Sequence, residues 1–281
     1  MDFSLSTLTD IDPVNPAAGY IGGKRNLAGR LVPVIDATEH DGYAEPFVGM
    51  GGIFLRRRRR PRTEVINDIS GDVAGFFRVL QEHYPYFIDM LRWRVASRAE
   101  FQRLLALPPD RLTDLQRAAR FLYVQRLAFG GRVAGRAFGV DSRAPARFNV
   151  ATLEPVLAEI HQRLAGVVIE QLGYADFIRR YDRPGMLFYL DPPYVGSEEY
   201  YGAGVFTPDD FEALSAQLAQ IRGKFILSIN DTPLARRVFA AFDQCAVDTR
   251  YGVGGGQRPA AELVLANFAL PPIAKRSAAR T

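Results

Sequence analysis

The chain has 281 residues, 48% of them apolar and 23% charged, with a net charge of +4, as expected of a soluble globular protein with one large domain and room for a smaller insertion. Its single cysteine, Cys245, excludes an internal disulfide framework, and the scattered His40, His83 and His161 give no zinc-site spacing. No apolar run is as long as a membrane span and Met1-Asp2-Phe3-Ser4 lacks a signal peptide's basic and apolar regions, so a reducing, cytoplasmic setting is expected.

Residues 1–16 carry turn formers without a period and read as a loose N-terminal arm. Tyr20-Ile21-Gly22-Gly23-Lys24-Arg25-Asn26 then leads into a helical pattern through Ile35. Its glycines permit a tight turn, and Lys24 near the helix start could meet a carboxylate or phosphate, an ordinary turn being the alternative. Tyr43 to Gly52 reads as strand, glycine turn and helix, with Glu45, Pro46 and Phe47 at the strand end and Gly49 and Gly51 in the turn. That is the geometry of a nucleotide-type pocket. The glycine spacing matches neither the dinucleotide fingerprint nor a phosphate-cradling P-loop. The following helix ends in Arg56 through Arg60 and then Pro61, a solvated helix end, with contact to backbone phosphates as the lesser alternative. Thr63 to Ile69 is a second strand ending in Asn67-Asp68. An acid about twenty residues beyond a glycine turn is placed to bind ribose hydroxyls, so Asp68 is a candidate diol ligand, or else the N-cap of the next helix.

From Ser70 to Ala106 the period is helical, with Val73, Phe76, Phe77, Leu80, Phe87, Leu91 and Val95 on the apolar face and Trp93 read as core. Leu107-Pro108-Pro109-Asp110 breaks it, and a helix over 114–129 buries Ala118, Phe121, Leu122, Val124 and Leu127. Between Arg92 and Arg147 twelve arginines face four acids, a local net of +8 that leaves −4 for the rest of the chain. This is the footprint of a polyanion-binding module or, in a chain that prefers Arg to Lys throughout, a set of solvated helix faces. Phe129 to Gly139 is too rich in glycine for a stable element and reads as an exposed flexible loop. Its interleaved Arg and Phe suit phosphates, guanine edges and base stacking, a plain surface loop being the alternative.

The second half alternates helix over 153–164, strand over 167–170 and a helix opened by Tyr174-Ala175-Asp176-Phe177. Leu187 to Leu190 is a buried strand that ends abruptly at Asp191-Pro192-Pro193-Tyr194. The prolines lack N–H groups and stop strand pairing, leaving carbonyl acceptors beside a carboxylate and an aromatic face. Such a group suits a planar ring bearing an amine, whose hydrogens go to the acceptors while the ring stacks on Tyr194. Thr207-Pro208-Asp209-Asp210 starts a helix as N-cap, first-turn proline and first-turn acids. Lys224 to Ile229 is a strand ending at Asn230-Asp231, and residues 246–250 and 261–268 close the sheet as a hairpin whose Gly-rich connection holds Arg258. Residues 271–281 form a tail without a core pattern and are expected to be mobile.

Asp191-Pro192-Pro193-Tyr194, preceded by the aromatic-x-Gly-Gly-Lys of Tyr20 to Lys24, the Phe-x-Gly-x-Gly of Phe47 to Gly51 and Asn67-Asp68, resembles the Dam-like DNA adenine methyltransferases across nearly the whole chain. The resemblance implies a Rossmann-like α/β fold with a seven-stranded, mostly parallel sheet and a small helical recognition insertion. The expected divisions are 1–83 and 151–270 as halves of the methyltransferase domain, 84–150 as the insertion, and the tail. It implies S-adenosylmethionine as cofactor and double-stranded DNA as partner, with no metal. Asp191, Pro192, Pro193 and Tyr194 would be catalytic. Tyr20, Lys24 (to the cofactor's carboxylate), Glu45, Pro46, Phe47, Gly49, Gly51, Asp68 (to ribose), Ile69 (beside adenine), Asp176 (to the adenine amine) and Asp191 would contact the cofactor. Arg126, Arg132, Arg136, Asn230 and Arg258 would contact DNA. Relatives with a narrow target carry Asn-Gly after Arg-x-x-Phe and then Phe-Asn-x-Pro-x-Gly. Here Arg126 and Phe129 match, but Gly130-Gly131 follows, and Phe148-Asn149 continues as Val150-Ala151. A short or relaxed target context is expected. An amine methyltransferase of the same fold acting on RNA or protein glutamine, or a catalytically silent DNA-binding relative, remains open.

Overall fold

All five residues of the strand Met186–Leu190 are buried, and they feed two different cores. Leu187 and Tyr189 face one apolar cluster; Met186, Phe188 and Leu190 face the other. A strand buried on both sides is the mark of a sheet sandwiched between helical layers.

The computed structural model describes residues 8–20, 22–139, 143–196, 206–253 and 256–273, without the side chains of Arg25 and residues 250–260. In chain order the elements are β1 (Thr9–Asp10), α1 (Arg25–Ala37), β2 (Gly42–Glu45), β3 (Arg59–Arg60), β4 (Thr63–Asn67), α2 (Gly71–Glu82), α3 (Tyr84–Arg92), α4 (Arg98–Ala106), α5 (Asp114–Leu127), α6 (Val150–Arg163), β5 (Val168–Glu170), α7 (Tyr174–Tyr181), β6 (Met186–Leu190), α8 (Pro208–Leu218), β7 (Lys224–Asn230), α9 (Pro233–Val238), β8 (Asp243–Val253) and β9 (Gly256–Ala266). Seven strands form one sheet in the order β5-β4-β2-β6-β7-β9-β8. The first five are parallel, while β9 runs antiparallel to both β7 and β8. This is the Rossmann-like, mostly parallel arrangement. The chain winds outward from β2 through β4 to β5, then returns to lay β6 on the other side of β2. The order therefore reverses between β2 and β6, and the carboxyl ends of these strands open a crevice there.

Helices α2 to α6 lie between β4 and β5 in sequence. They share one core with α1 and one face of the sheet, through Phe76, Phe77, Phe87, Phe121 and Leu157 among others. Residues of α7, α8 and α9 cover the opposite face. At α8, Thr207 and Asp210 form a reciprocal capping box with Pro208 in the first turn, as the sequence predicts.

Five expectations need correction. The helical stretch after Ser70 is three helices, divided at His83 and again between Arg92 and Arg98. Trp93 lies just past the end of α3, where the 3.6-residue period no longer aims side chains inward, and it is 88% exposed rather than core; Val95 is 73% exposed. What the connection turns inward is its backbone, since Val95 O accepts from Tyr123 OH at 2.8 Å.

Arg57 is not part of a solvated helix end. Only one turn, Phe54–Arg56, precedes it, and Arg57 is fully buried, with its guanidinium 3.7 Å from the centre of the Tyr43 ring and 2.8 Å from Glu64. Glu64 also takes two bonds of 2.6 Å from Arg163. The N-terminal arm is pinned rather than loose from Leu8 onward. β1 pairs with β3, Val14 N donates to Leu55 O at 2.7 Å, and Arg126 and Gln125 donate to Ala17 O and Gly19 O. The glycine loop after α5 is also closed. Phe129 N donates to Ala137 O at 2.8 Å, Gly139 N donates to Leu127 O at 2.7 Å, and the Phe138 ring packs on Phe101. Of the tail, residues 274–281 lie outside the described residues.

Candidate active site

Four strand ends converge on one cavity. β2 ends in Glu45 and hands over to Pro46 and Phe47, β4 ends in Asn67 and is followed by Asp68, β5 leads to Leu172, and β6 leads to Asp191. The cavity holds about 1060 Å³, large enough for a nucleoside-sized ligand and part of a second ring. Asn67 ties three of these ends together: its Nδ2 donates to Pro46 O and Leu172 O at 2.9 and 3.0 Å, and its Oδ1 accepts from Leu172 N at 2.8 Å. Buried amides held this way fix the spacing of the rim.

The glycine turn after β2 does two different jobs. Gly49 has φ +51°, and a Cβ there would sit 3.2 Å from the Tyr20 ring, so only glycine lets Tyr20 close over the turn. Gly51, with φ +74°, faces Leu55 and Phe77 and lies outside the cavity lining. Asp68 accepts from Gly49 N at 3.0 Å and Ser70 N at 2.9 Å, one through each oxygen, and keeps lone pairs toward the cavity it lines. Burial pushes its carboxyl up to about 6, against the pull of those two N–H groups.

Around Asp191 the charges are concentrated. Asp191 Oδ1 is 2.8 Å from Lys24 Nζ, which also donates to the Tyr194 hydroxyl and lies 4.2 Å from the centre of that ring. The Tyr194 hydroxyl donates to Glu262, a fully buried carboxylate on β9 whose Oε2 is 3.6 Å from Lys24 Nζ. Burial pushes Asp191 up to about 7, with Lys24 drawing it back. Glu45, buried and bonded by Tyr43 OH at 2.8 Å, is pushed up to about 8, chiefly by burial and also by Asp191. Asp191 and Lys24 line the cavity, while Pro192 and Tyr194 are not among the lining residues and Tyr194 meets the cluster through Lys24 and Glu262.

Of the residues singled out in the sequence, Tyr20, Lys24, Glu45, Pro46, Phe47, Gly49, Asp68, Ile69, Asp191, Pro193 and Arg126 line the cavity. Asp176 does not; it stands on the outer face of α7 with a side chain 68% exposed, paired with Arg179 at 2.5 Å. Tyr174, from the same turn, faces the cavity instead, and its ring forms a wall with Phe47 and Phe206 at centroid distances of 5.7 and 5.6 Å. Asn230 clamps the backbone of Val195, accepting from its N and donating to its O at 3.0 Å each. Arg258 is the register partner of Tyr251 in the β8–β9 hairpin, with its side chain outside the described residues.

Much of the basic segment is engaged within the fold. Arg117 pairs with Asp72 and Arg120 donates to Leu104 O. Arg126 donates to Arg147 O and Ala17 O, and Arg136 to Gln125 and Arg132 O. Burial lowers the pKa of both Arg126 and Arg136. Arg98, Arg132, Arg143 and Arg147 are exposed. Glu262, Tyr174 and Phe206 went unseen in the sequence: Glu262 is one polar letter in a strand, and only the register of β9 brings it to the site.

Among the described residues no group of His, Cys, Asp and Glu is arranged to hold a metal ion, and no helix is long and apolar enough to cross a membrane. The family model described as D12 class N6 adenine-specific DNA methyltransferase matches residues 20–253. The chain is 24% identical over 255 residues to the type II methyltransferase M1.LlaDCHI of Lactococcus lactis subsp. cremoris, covering 82% of this chain and 86% of that protein. It is 19% identical over 263 residues to the type II methyltransferase M.CviBI of Paramecium bursaria Chlorella virus NC1A, covering 91% of this chain and all of the other. Among solved structures, a precorrin 8w decarboxylase of Methanobacterium thermoautotrophicum matches 86% of this chain and 89% of its own at 8% identity and a TM-score of 0.37, too slight a likeness to carry weight.

Proposed function

The chain belongs to the D12 class N6 adenine-specific DNA methyltransferase family, and on that premise we propose that it transfers a methyl group from S-adenosylmethionine to the N6 amine of an adenine in double-stranded DNA. The observation that carries the reading is Asp191 at the reversal point of the sheet, paired with Lys24, which in turn lies over the Tyr194 ring, and open to a cavity of about 1060 Å³.

The residues present fit the cofactor. Asp68 offers a carboxylate to a ribose diol, Ile69 and the rings of Phe47, Tyr174 and Phe206 offer apolar walls to adenine, and Tyr20 closes over the Gly49 turn. S-adenosylmethionine, when bound, supplies an electrophilic methyl on a positively charged sulfur. The target adenine must leave the duplex, because its amine cannot reach an enclosed cavity from within the stack. Asp191 and the Pro192 carbonyl accept the amine's two hydrogens and draw its lone pair out of conjugation with the ring, while Tyr194 presents its face to the base. On transfer the amine nitrogen would take the methyl as its bond to sulfur breaks, the sulfur keeping the electron pair as a neutral thioether, and the nitrogen would give up one proton, for which Asp191 is the candidate acceptor. Lys24, 2.8 Å from Asp191, favours its ionised form against the effect of burial. Positioning and electrostatics carry the rate.

Residues 84–150 are the proposed recognition part, with Arg132, Arg143 and Arg147 exposed for phosphates or guanine edges. The test is a panel: labelled S-adenosylmethionine offered with double-stranded DNA, RNA or a glutamine-containing protein. Label in DNA adenine alone is expected. Label in RNA or glutamine would replace the substrate, and labelling of none would leave a DNA-binding protein without catalysis.

A further inference from the structure

Glu262 belongs to the charged cluster around Asp191, yet it does not line the cavity. A carboxylate without exposed surface is costly to keep in a strand unless its contacts are specific. Those of Glu262 are: one oxygen accepts from the Tyr194 hydroxyl, and the other lies 3.6 Å from Lys24 Nζ. Across the sheet its register partner is Asn230 at the end of β7. Asn230 holds Val195 by two backbone hydrogen bonds of 3.0 Å. Two facing residues at one register point thus grip consecutive residues of the loop after Pro193, Tyr194 by its phenol and Val195 by its backbone.

We propose that Glu262 is a positioning residue for methyl transfer, holding the Tyr194 ring and the Lys24 ammonium where they act on the base and on Asp191. The inference rests on the methyltransferase reading above. With its phenol anchored at Glu262, Tyr194 keeps one ring orientation and so offers one flat face. Lys24 is shared between two carboxylates instead of being neutralised by Asp191 alone. The groups facing Asp191 are Lys24 from the loop before α1, Glu262 from β9, Glu45 from β2, Tyr189 on β6 and Tyr194 on its own loop. After burial, the largest cause, Lys24 draws the Asp191 carboxyl down and Glu262 pushes it up.

Glu262→Gln keeps the size and an acceptor for the phenol but removes the charge; Glu262→Ala removes both. The experiment measures kcat, cofactor affinity and melting for both variants, and titrates the Asp191 carboxyl by carbon NMR in the wild type and Glu262→Gln. Glu262→Ala should lose about a hundredfold in kcat with cofactor affinity changed about twofold at most, and Glu262→Gln should regain about tenfold of that loss, the scale of one neutral hydrogen bond. In Glu262→Gln the Asp191 carboxyl should titrate at lower pH, a shift that a space-filling residue would not produce. A folded Glu262→Ala with wild-type kcat, or an Asp191 titration unmoved in Glu262→Gln, would overturn the proposal; if Glu262→Ala does not fold, Glu262→Gln decides alone. If the wild type transfers no methyl to DNA yet the titration shifts, the reading of the reaction falls while the coupling within the cluster stands.

Discussion

Lys24 Nζ stands 2.8 Å from Asp191 Oδ1, so the loop entering the first helix supplies the counter-ion of the acid that ends the central strand. Sequence resemblance directs Lys24 to the carboxylate of the cofactor; in the fold it lines the cavity with its charge on Asp191. Lys24→Met should therefore move the acidic limb of the rate–pH profile upward, because burial of Asp191 then acts without its main opponent. An unmoved limb in a folded variant would mean that the pair does not govern the reaction.

The same burial sets a pH dependence of stability. Asp191, ordinarily near 3.8, is pushed up to about 7, and Glu45, ordinarily near 4.5, up to about 8. A raised carboxyl binds its proton more tightly in the folded state. Below the unfolded value both states are protonated and nothing is lost. As pH rises through the window to the folded value, the unfolded chain ionises first and stability falls. Glu45→Gln should accordingly raise Tm at pH 8 and leave it nearly unchanged at pH 4. Thermal melts of the cofactor-free protein at the two pH values decide this, and a Tm at pH 8 equal to or below the wild type's would contradict it.

Asp68 is the proposed diol ligand, held by Gly49 N and Ser70 N at the cavity edge. Asp68→Ala should weaken S-adenosylmethionine by about 1.5–3 kcal/mol, the range for hydrogen bonds to a charged group. Because those two N–H groups also lose their acceptor, folding should be checked by melting before calorimetric titration. Unchanged affinity in a folded variant would remove Asp68 from the cofactor.

Target choice should be loose. The loop over 129–139 is closed on itself, and Arg136 is drawn inward to Gln125. Arg132 stays exposed, with few other side chains near it able to make bidentate base contacts, each worth about 1–3 kcal/mol of discrimination. Mapping methylated adenines on random DNA should return a short or relaxed context with binding that weakens steeply in salt. Methylation confined to one four-base palindrome would refute this.

What was legible in the sequence lies where a motif is local. Asp191 and Pro193 at the end of β6, the Gly49 turn and Asp68 after β4 each depend on a few neighbouring residues and all line the cavity, and Thr207 caps α8, whereas Pro192 and Tyr194 of the same motif are not among the lining residues. What stayed hidden depends on register or on where a helix stops. Glu262 needs β9 set against β7, and Trp93 is exposed because α3 ends one residue earlier. The five-arginine run also misled: as a string it reads as solvated charge, whereas Glu64 and the Tyr43 ring make a buried place for Arg57. Asp176 shows the reverse error, a polar letter favoured over Tyr174, the aromatic neighbour that faces the cavity.

The central claim is that Asp191 drives methyl transfer to adenine N6. The most direct measurement is mass spectrometry of nucleosides from DNA incubated with S-adenosylmethionine carrying a deuterated methyl, for the wild type and Asp191→Ala. Mass-shifted N6-methyladenine should accumulate with the wild type and fall by about a hundredfold or more with Asp191→Ala, the cost of removing a group that acts on developing charge. Wild-type yield from Asp191→Ala, or a label found on cytosine and absent from adenine, would contradict the account.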